Sequence, residues 1–122
     1  MNPKYLKDKI TVELESSYNY MKESINLIKV NKKWSNTFRV ISDDKYEHAE
    51  QLYKIFMELY MDSRHQDTYI NSIRDAVIET FAAKTRTIED YRATYDLITE
   101  EPHIEEEQNE RDITKPGDSE AV

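Results

Sequence analysis

Apolar residues recur at steps of three and four along most of this chain, which is the period of helices with one buried face. Short polar segments interrupt the pattern near residues 31–36 and 62–66. The pattern therefore predicts three helices. We expect them to run from about Pro3 to Val30, from about Ser35 or Thr37 to Tyr60, with Ser42 as the candidate for a break, and from a cap at Asp67 or Thr68 to about Thr99.

Glycine and proline are both absent between Lys4 and Glu101. These residues make most tight turns and interrupt helices, so their absence favours a few long helices over many strands. Pro3 behind Asn2 predicts the start of the first helix, because asparagine caps helices and proline is tolerated in their first turn. Pro102 predicts the end of the third helix.

Each predicted helix has a stripe of positions that we expect to form the core. The first stripe is Leu6, Ile10, Leu14, Ser17 or Tyr18, Met21, Ile25 and Ile28. The second stripe is Phe38, Ile41, Lys45, His48 or Ala49, Leu52, Ile55 or Phe56, and Leu59. The third stripe is Ile70, Ile73, Val77, Phe81, Lys84, Ile88, Tyr91, Tyr95 and Ile98. Because short connections join the helices, we expect an all-α, up-down-up, three-helix antiparallel bundle.

The net charge of -8 is concentrated at the C-terminal end. Residues 1–62 contain ten basic and ten acidic residues, and residues 63–99 contain five basic and six acidic residues. Residues 100–122 contain nine acids and two bases, a net charge of -7. Few apolar residues accompany this charge, so we expect a helical bundle over 1–99 and an acidic, disordered tail over 100–122.

Composition argues against several classes of protein. Since the chain has no cysteine, disulfides and thiolate metal sites are excluded, and the reducing cytoplasm is the expected location. The sequence has no apolar run that could span a membrane and no segment resembling a signal peptide, so we expect no membrane partner. It also lacks a glycine-rich phosphate loop, a nucleophile elbow and a catalytic triad.

Two lysines, Lys45 and Lys84, fall on stripes that are otherwise apolar. A buried lysine is costly unless it has a partner or loses its proton. Each of them therefore either packs its stem inside with the ammonium at the edge, or meets a carboxylate. His48 lies one helical turn after Lys45 on the same face, and Asp44 and Glu47 flank Lys45 and His48.

The first helix contains Val12-Glu13-Leu14-Glu15-Ser16-Ser17-Tyr18-Asn19-Tyr20, and the second contains Phe38-Arg39 and Glu47-His48-Ala49-Glu50-Gln51-Leu52. Over roughly residues 5–60 these segments resemble the first two helices of the ferritin-like superfamily. In that family a glutamate on helix one, a tyrosine two turns later and a Glu-x-x-His on helix two build half of a di-iron carboxylate site. The resemblance implies that Glu13, Tyr20 and His48 stand at the glutamate, the tyrosine and the histidine.

Three departures remove ligands from this site. Lys45 stands at the bridging glutamate, Lys84-Thr85 stands where helix three would supply a carboxylate, and no fourth helix follows. A di-iron site needs several carboxylates, so we expect no cofactor and a structural remnant in which Lys45 neutralises Glu13 inside the bundle. We expect His48 to be largely buried beside them. The alternatives are a single-metal site of Glu13, Asp44 and His48 that holds iron or manganese, and a coincidental similarity.

The first turn is basic and contains the only tryptophan. Lys29, Lys32, Lys33 and Arg39 flank Trp34 in the sequence. Basic residues around an aromatic side chain can bind phosphate and stack a base, so this turn is a candidate nucleic-acid patch. The alternative is a solvated turn in which Trp34 closes the end of the bundle.

These observations favour a non-catalytic structural or interaction protein and leave enzymatic activity open. A ferritin-like bundle without its fourth helix has an apolar groove, so we expect a homo-oligomer or a complex with another protein. Extra aromatic surface for such an interface is expected from Tyr18, Tyr53, Tyr60, Tyr69 and Tyr95. Two other functions remain open: a small nucleic-acid-associated factor of the replication or packaging type, and a reduced metal-binding or oxidoreductase protein.

Overall fold

The computed structural model describes residues 2–61 and 67–113, with side chains up to Glu100. It contains three α-helices, α1 (Pro3–Leu27), α2 (Lys32–Tyr60) and α3 (Thr68–Ile113). No strand occurs among these residues, so the all-α fold class is confirmed. Within the same described ranges, no helix is both long and apolar enough to cross a membrane. The predicted second turn at 62–66 lies outside the described residues.

Asparagine side chains cap the first two helices. The Oδ1 atom of Asn2 accepts a hydrogen bond from the backbone N–H of Tyr5 at 2.7 Å, so the predicted start of the first helix is confirmed. Asn31 caps α2 in the same way, with its Oδ1 atom 3.0 Å from the backbone nitrogen of Trp34. Because this cap supplies an acceptor for the first turn, α2 begins before the predicted Ser35.

α2 runs without the break predicted near Ser42, and α1 ends at Leu27 rather than at Val30. Ser42 is fully buried, and its hydroxyl donates a hydrogen bond to the backbone carbonyl of Ser17 on α1 at 2.6 Å. The hydroxyl therefore has a partner on the neighbouring helix and does not compete for the hydrogen bonds of its own helix. This explains why a serine in the middle of α2 does not interrupt it.

α3 has 46 residues and continues through Pro102 to Ile113. The predicted end of the third helix near Thr99 is therefore wrong. Glutamate is the commonest residue between Pro102 and Ile113, and glutamate favours helices by intrinsic propensity even where charge and low hydropathy also fit a disordered chain. The predicted tail, 100–122, overlaps the end of this helix. For residues 114–122, which lie outside the described residues, disorder stays a prediction.

The core draws one line of residues from each helix. Its buried apolar members are Leu6, Ile10, Leu14, Met21, Ile28, Ala49, Phe56, Ile73, Val77 and Ile88. The lines on α1 and α3 follow the predicted stripes, except that on α1 Ser24 is buried rather than the predicted Ile25, and of the alternatives Ser17 and Tyr18 it is Ser17 that is buried. The line on α2 consists of Ser35, Ser42, Ala49 and Phe56. It matches the predicted stripe only at Ala49 and Phe56, which were each one of two alternatives, whereas Ile55 and Leu59 are exposed.

Two buried serine pairs explain this rotation of α2. Ser17 and Ser42 donate to each other's backbone carbonyl at 2.9 and 2.6 Å, and Ser24 and Ser35 repeat the arrangement at 2.7 and 2.6 Å. The small side chains let the two helices approach, and each buried hydroxyl has an acceptor. Serine counts as polar in a hydropathy pattern, so the pattern did not place Ser35 and Ser42 on the inward face of α2.

The chain divides into two units, residues 1–91 and 92–122. In the first unit, α1, α2 and the beginning of α3 share one core cluster, to which α3 contributes Ile73, Val77 and Ile88. In the second unit, the hydroxyl of Thr99 bonds to the backbone carbonyl of Tyr95 at 2.9 Å, within the helix itself.

Candidate protein-binding face and basic turn

The pair formed by α1 and α2 has two sides. One side meets α3: Lys84 Nζ lies 2.9 Å from Glu15 Oε2, and the rings of Tyr53 and Phe81 stack with centroids 4.1 Å apart. These contacts place Glu15 and Tyr53 toward α3 within the first unit. The residues of the proposed ferritin-like remnant lie on the other side.

On that other side, Glu13 Oε1 is 3.8 Å from Lys45 Nζ and 3.6 Å from His48 Nδ1. The rings of Tyr20 and Phe38 stack beside them, with centroids 5.7 Å apart. We call these five residues, together with Leu52, Ile55 and Leu59 on the same stripe of α2, the outer face. Glu13, Tyr20 and His48 therefore lie on the same side of the α1 and α2 pair.

The contact between Lys45 and Glu13 that the sequence predicted is confirmed, but its surroundings are not the predicted ones. The side chains of Glu13 and Lys45 are 21% and 35% exposed, and that of His48 is 57% exposed. The prediction of a largely buried His48 is therefore wrong, because the inward position of this turn belongs to the neighbouring Ala49. The group lies at the rim of the bundle rather than inside it.

The Glu13 Oε1 atom has no hydrogen-bond partner although it is shielded from solvent. Both nitrogen atoms near it are farther away than a good hydrogen bond allows, so the Lys45 ammonium acts on the carboxylate mainly through charge. An ammonium at this position supplies part of the positive charge that a metal would supply in a carboxylate site.

The three-residue metal site considered from the sequence is not assembled. Within the described part of the chain, no three Asp, Glu or His side chains are grouped so that they could hold a metal ion. Asp44, the third residue of that hypothesis, is exposed on α2.

Lys84, the other lysine on an apolar stripe, meets a carboxylate, which is one of the two alternatives that the sequence offered for it. Besides its salt bridge to Glu15, its ammonium lies 5.6 Å from the ring centre of Tyr18. Tyr18 also meets Tyr91 edge to face, and its hydroxyl raises the pKa of Tyr91 above the ordinary value through a hydrogen bond. Lys84 therefore joins α1 to α3 and has no part in the outer face.

The basic turn exposes most of the side chains that the sequence singled out. Lys29, Lys32 and Lys33 are exposed, and Trp34 is 50% exposed with the ammonium of Lys33 5.8 Å from its ring centre. Half of Trp34 is thus accessible, so it does not simply close the end of the bundle. Arg39 lies further along α2, where its Nε atom is 3.5 Å from Asp43.

The tyrosines are less available than expected. Tyr18, Tyr53 and Tyr60 pack against the core, and Tyr95 is half-buried. Tyr69 is exposed. The surface available for an interface is therefore mainly aliphatic, because the aromatic rings fill the edges of the core.

Compared with protein-family models, curated proteins and solved structures, the chain matches none of them. The assignment of a function therefore rests on the residues and contacts described above. Two surfaces stand out among the described residues: the outer face and the basic turn.

Proposed function

We propose that this protein is a non-catalytic helical interaction protein, derived from a ferritin-like bundle, whose outer face binds a second copy of the chain or another protein. The cytoplasm is the expected compartment. Exposed apolar side chains on the outer face are the observation that carries this proposal.

The order of the contacts supports an up-down-up arrangement in the first unit. Ser17 and Ser24 on α1 meet Ser42 and Ser35 on α2, so the partners follow one another in opposite order along the two helices. Glu15 and Tyr18 on α1 meet Lys84 and Tyr91 on α3, in the same order. Such an arrangement leaves one side of the α1 and α2 pair for a fourth element, as in a four-helix bundle.

The apolar residues of the outer face support binding on that side. Leu52, Ile55 and Leu59 follow one another at steps of three and four on α2, and Ile55 and Leu59 are exposed. A row of apolar side chains next to a half-buried ion pair is a surface that gains free energy when it is covered. The residues that could have formed a metal site now lie in the middle of this surface.

The contacts of Glu13 support the ferritin-like ancestry and a loss of the metal site. A charge-balancing lysine where the family has a bridging carboxylate favours a structural role for Glu13 and His48. The alternative is a reduced metal-binding or oxidoreductase protein with iron or manganese. Elemental analysis of the purified protein separates the two, because the alternative requires stoichiometric metal that is lost in Glu13→Ala.

Leu59→Lys tests the outer face, and Val40→Lys is its matched control. The two residues lie on α2 and are 50% and 49% exposed. Helical geometry puts Leu59 about 40° from Lys45 around the helix axis, and Val40 about 140° away. We expect sedimentation equilibrium from micromolar to millimolar concentration to show self-association that Leu59→Lys weakens at least about tenfold, since a buried charge opposes association.

Val40→Lys should associate like the wild type. A wild-type protein that stays monomeric throughout this range would refute self-association and would leave only binding to another protein. Equal weakening by the two variants would show that the outer face is not the interface.

A further inference from the structure

The basic turn combines positive charge and an exposed aromatic ring in one short segment. Lys29, Lys32 and Lys33 are exposed around Trp34, which is the only tryptophan of the chain. Val30 is also exposed. The turn lies at the start of α2, at the opposite end of this helix from Leu59 of the outer face.

The local charge of this turn is opposite to that of the whole chain. No acidic residue occurs between Glu23 and Asp43, whereas the chain as a whole has a net charge of -8. Arg39, the last cation in this interval, is only 22% exposed beside Asp43, whereas the side chains of the three lysines are exposed. A local positive surface on an acidic protein attracts polyanions selectively at this one place.

We propose that the basic turn is a binding site for single-stranded nucleic acid, with the lysines on phosphates and Trp34 stacked on an unpaired base. Lys33 Nζ and the Trp34 ring centre are 5.8 Å apart. Since only a sugar separates a phosphate from its base, one nucleotide can reach both groups. Base stacking on an aromatic ring accepts every base, so the site selects unpaired strands rather than a sequence.

A single strand fits this turn better than a duplex or a lipid surface. Reading a duplex places a helix or a strand in a groove, whereas this turn presents one ring and three flexible ammonium groups. Binding to a lipid surface needs a broad apolar face beside the cations. Here the exposed apolar side chains near the lysines are Val30 and Trp34, and the exposed residues Asn31 and Asn36 beside them are polar.

Because Trp34 is the only tryptophan, the fluorescence of the unlabelled full-length protein reports directly on this site. Titration with an oligothymidylate should quench the emission as a base stacks on the ring. Three phosphate contacts give a salt slope of about -2, so affinity should fall roughly twenty-fold between about 50 and 200 mM salt. Inorganic polyphosphate should compete for the lysines without quenching, because it carries no bases.

Two triple variants with the same net charge distinguish binding at the basic turn from a general effect of the protein's charge. Replacing Lys29, Lys32 and Lys33 by Gln should remove most of the affinity and most of the salt dependence. Replacing Lys7, Lys9 and Lys54 by Gln changes the net charge equally and should leave binding near the wild-type level. Trp34→Ala, followed by anisotropy of a labelled oligonucleotide, should weaken binding about tenfold, and Trp34→Phe should weaken it less.

Four results would overturn the proposal. The first is a Trp34 emission that the oligonucleotide does not change at the lowest salt concentration, and the second is an equal loss of affinity in the two triple variants. The third is equal quenching of the emission by polyphosphate and by the oligonucleotide. The fourth is a blue shift of the emission with anionic lipid vesicles, without any response to the oligonucleotide. The last result would assign the turn to a lipid surface instead.

Discussion

Lys45→Glu is the substitution that tests the central interpretation of the outer face. The Lys45 ammonium lies 3.8 Å from the Glu13 carboxylate, with His48 3.6 Å from the same oxygen atom. The substitution replaces this attraction by repulsion between two carboxylates. It also restores the residue type that the ferritin-like resemblance implies at this position.

The free-energy cost follows from the distance and the exposure of the pair. Two unit charges about 4 Å apart interact by about 1 kcal/mol in water and by about 4 kcal/mol at the effective dielectric constant of a protein surface. The side chains of Lys45 and Glu13 are 35% and 21% exposed, so solvent screens them and the lower figure applies. Loss of the attraction and gain of the repulsion together should lower the free energy of unfolding by about 1–2 kcal/mol.

In a domain of this size, that loss lowers the melting temperature by roughly 5–15 °C. Manganese or ferrous ion should reverse it, because two carboxylates and an imidazole then meet at one place. A ligand at about one hundred times its Kd stabilises the folded state by about 2.7 kcal/mol, which is enough to offset the whole loss. The wild type, with an ammonium in that place, should not respond to the metal.

The assay is thermal unfolding followed by circular dichroism, with a chelator and then with manganese. Lys54→Glu is the control, because it makes the same charge change at an exposed position of α2. If both variants melt at the same temperature and respond alike to manganese, the contacts among Glu13, Lys45 and His48 do not contribute to the stability of the protein. The ferritin-like interpretation of these residues would then fail.

Two further predictions concern the α1–α2 contact and the C-terminal segment. Ser42→Val should lower the free energy of unfolding, measured in urea, by about 1–3 kcal/mol, because the buried site has no room for two methyl groups. Ser72→Val, at an exposed position, should change this free energy little. An equal loss of stability in the two variants would contradict the close serine contact. Deletion of residues 100–122 removes -7 of the -8 net charge. It should leave the melting temperature nearly unchanged and should tighten oligonucleotide binding at low salt. If the truncated protein and the full-length chain bind with equal affinity at every salt concentration, this segment does not shield the basic turn.

The residues of the outer face show how far the sequence could predict a site. The ferritin-like resemblance and the stripe position of Lys45 together predicted the contact between Glu13 and Lys45. Spacing could not predict that His48 is exposed. That depends on which of two adjacent positions, His48 or Ala49, faces inward, and the partner helix decides it.

The basic turn shows a different limit. Its charge and its tryptophan are visible in the sequence, and they were sufficient to propose a site. The sequence did not show that Arg39 lies apart from the turn. Its position depends on the start of α2 at the Asn31 cap and on its contact with Asp43, one helical turn further on. The structure therefore reduces the patch to the three lysines and Trp34.

The sequence by itself determined the helical class, the Asn2-Pro3 beginning of α1, and most of the core lines of α1 and α3. These are local properties, since helix propensity, capping and apolar periodicity act within a few residues along the chain. Only the tertiary structure decided the inward face of α2 and with it the outer face. Buried serines form the inward line because each hydroxyl reaches a carbonyl on the other helix, and that partner is distant in the sequence.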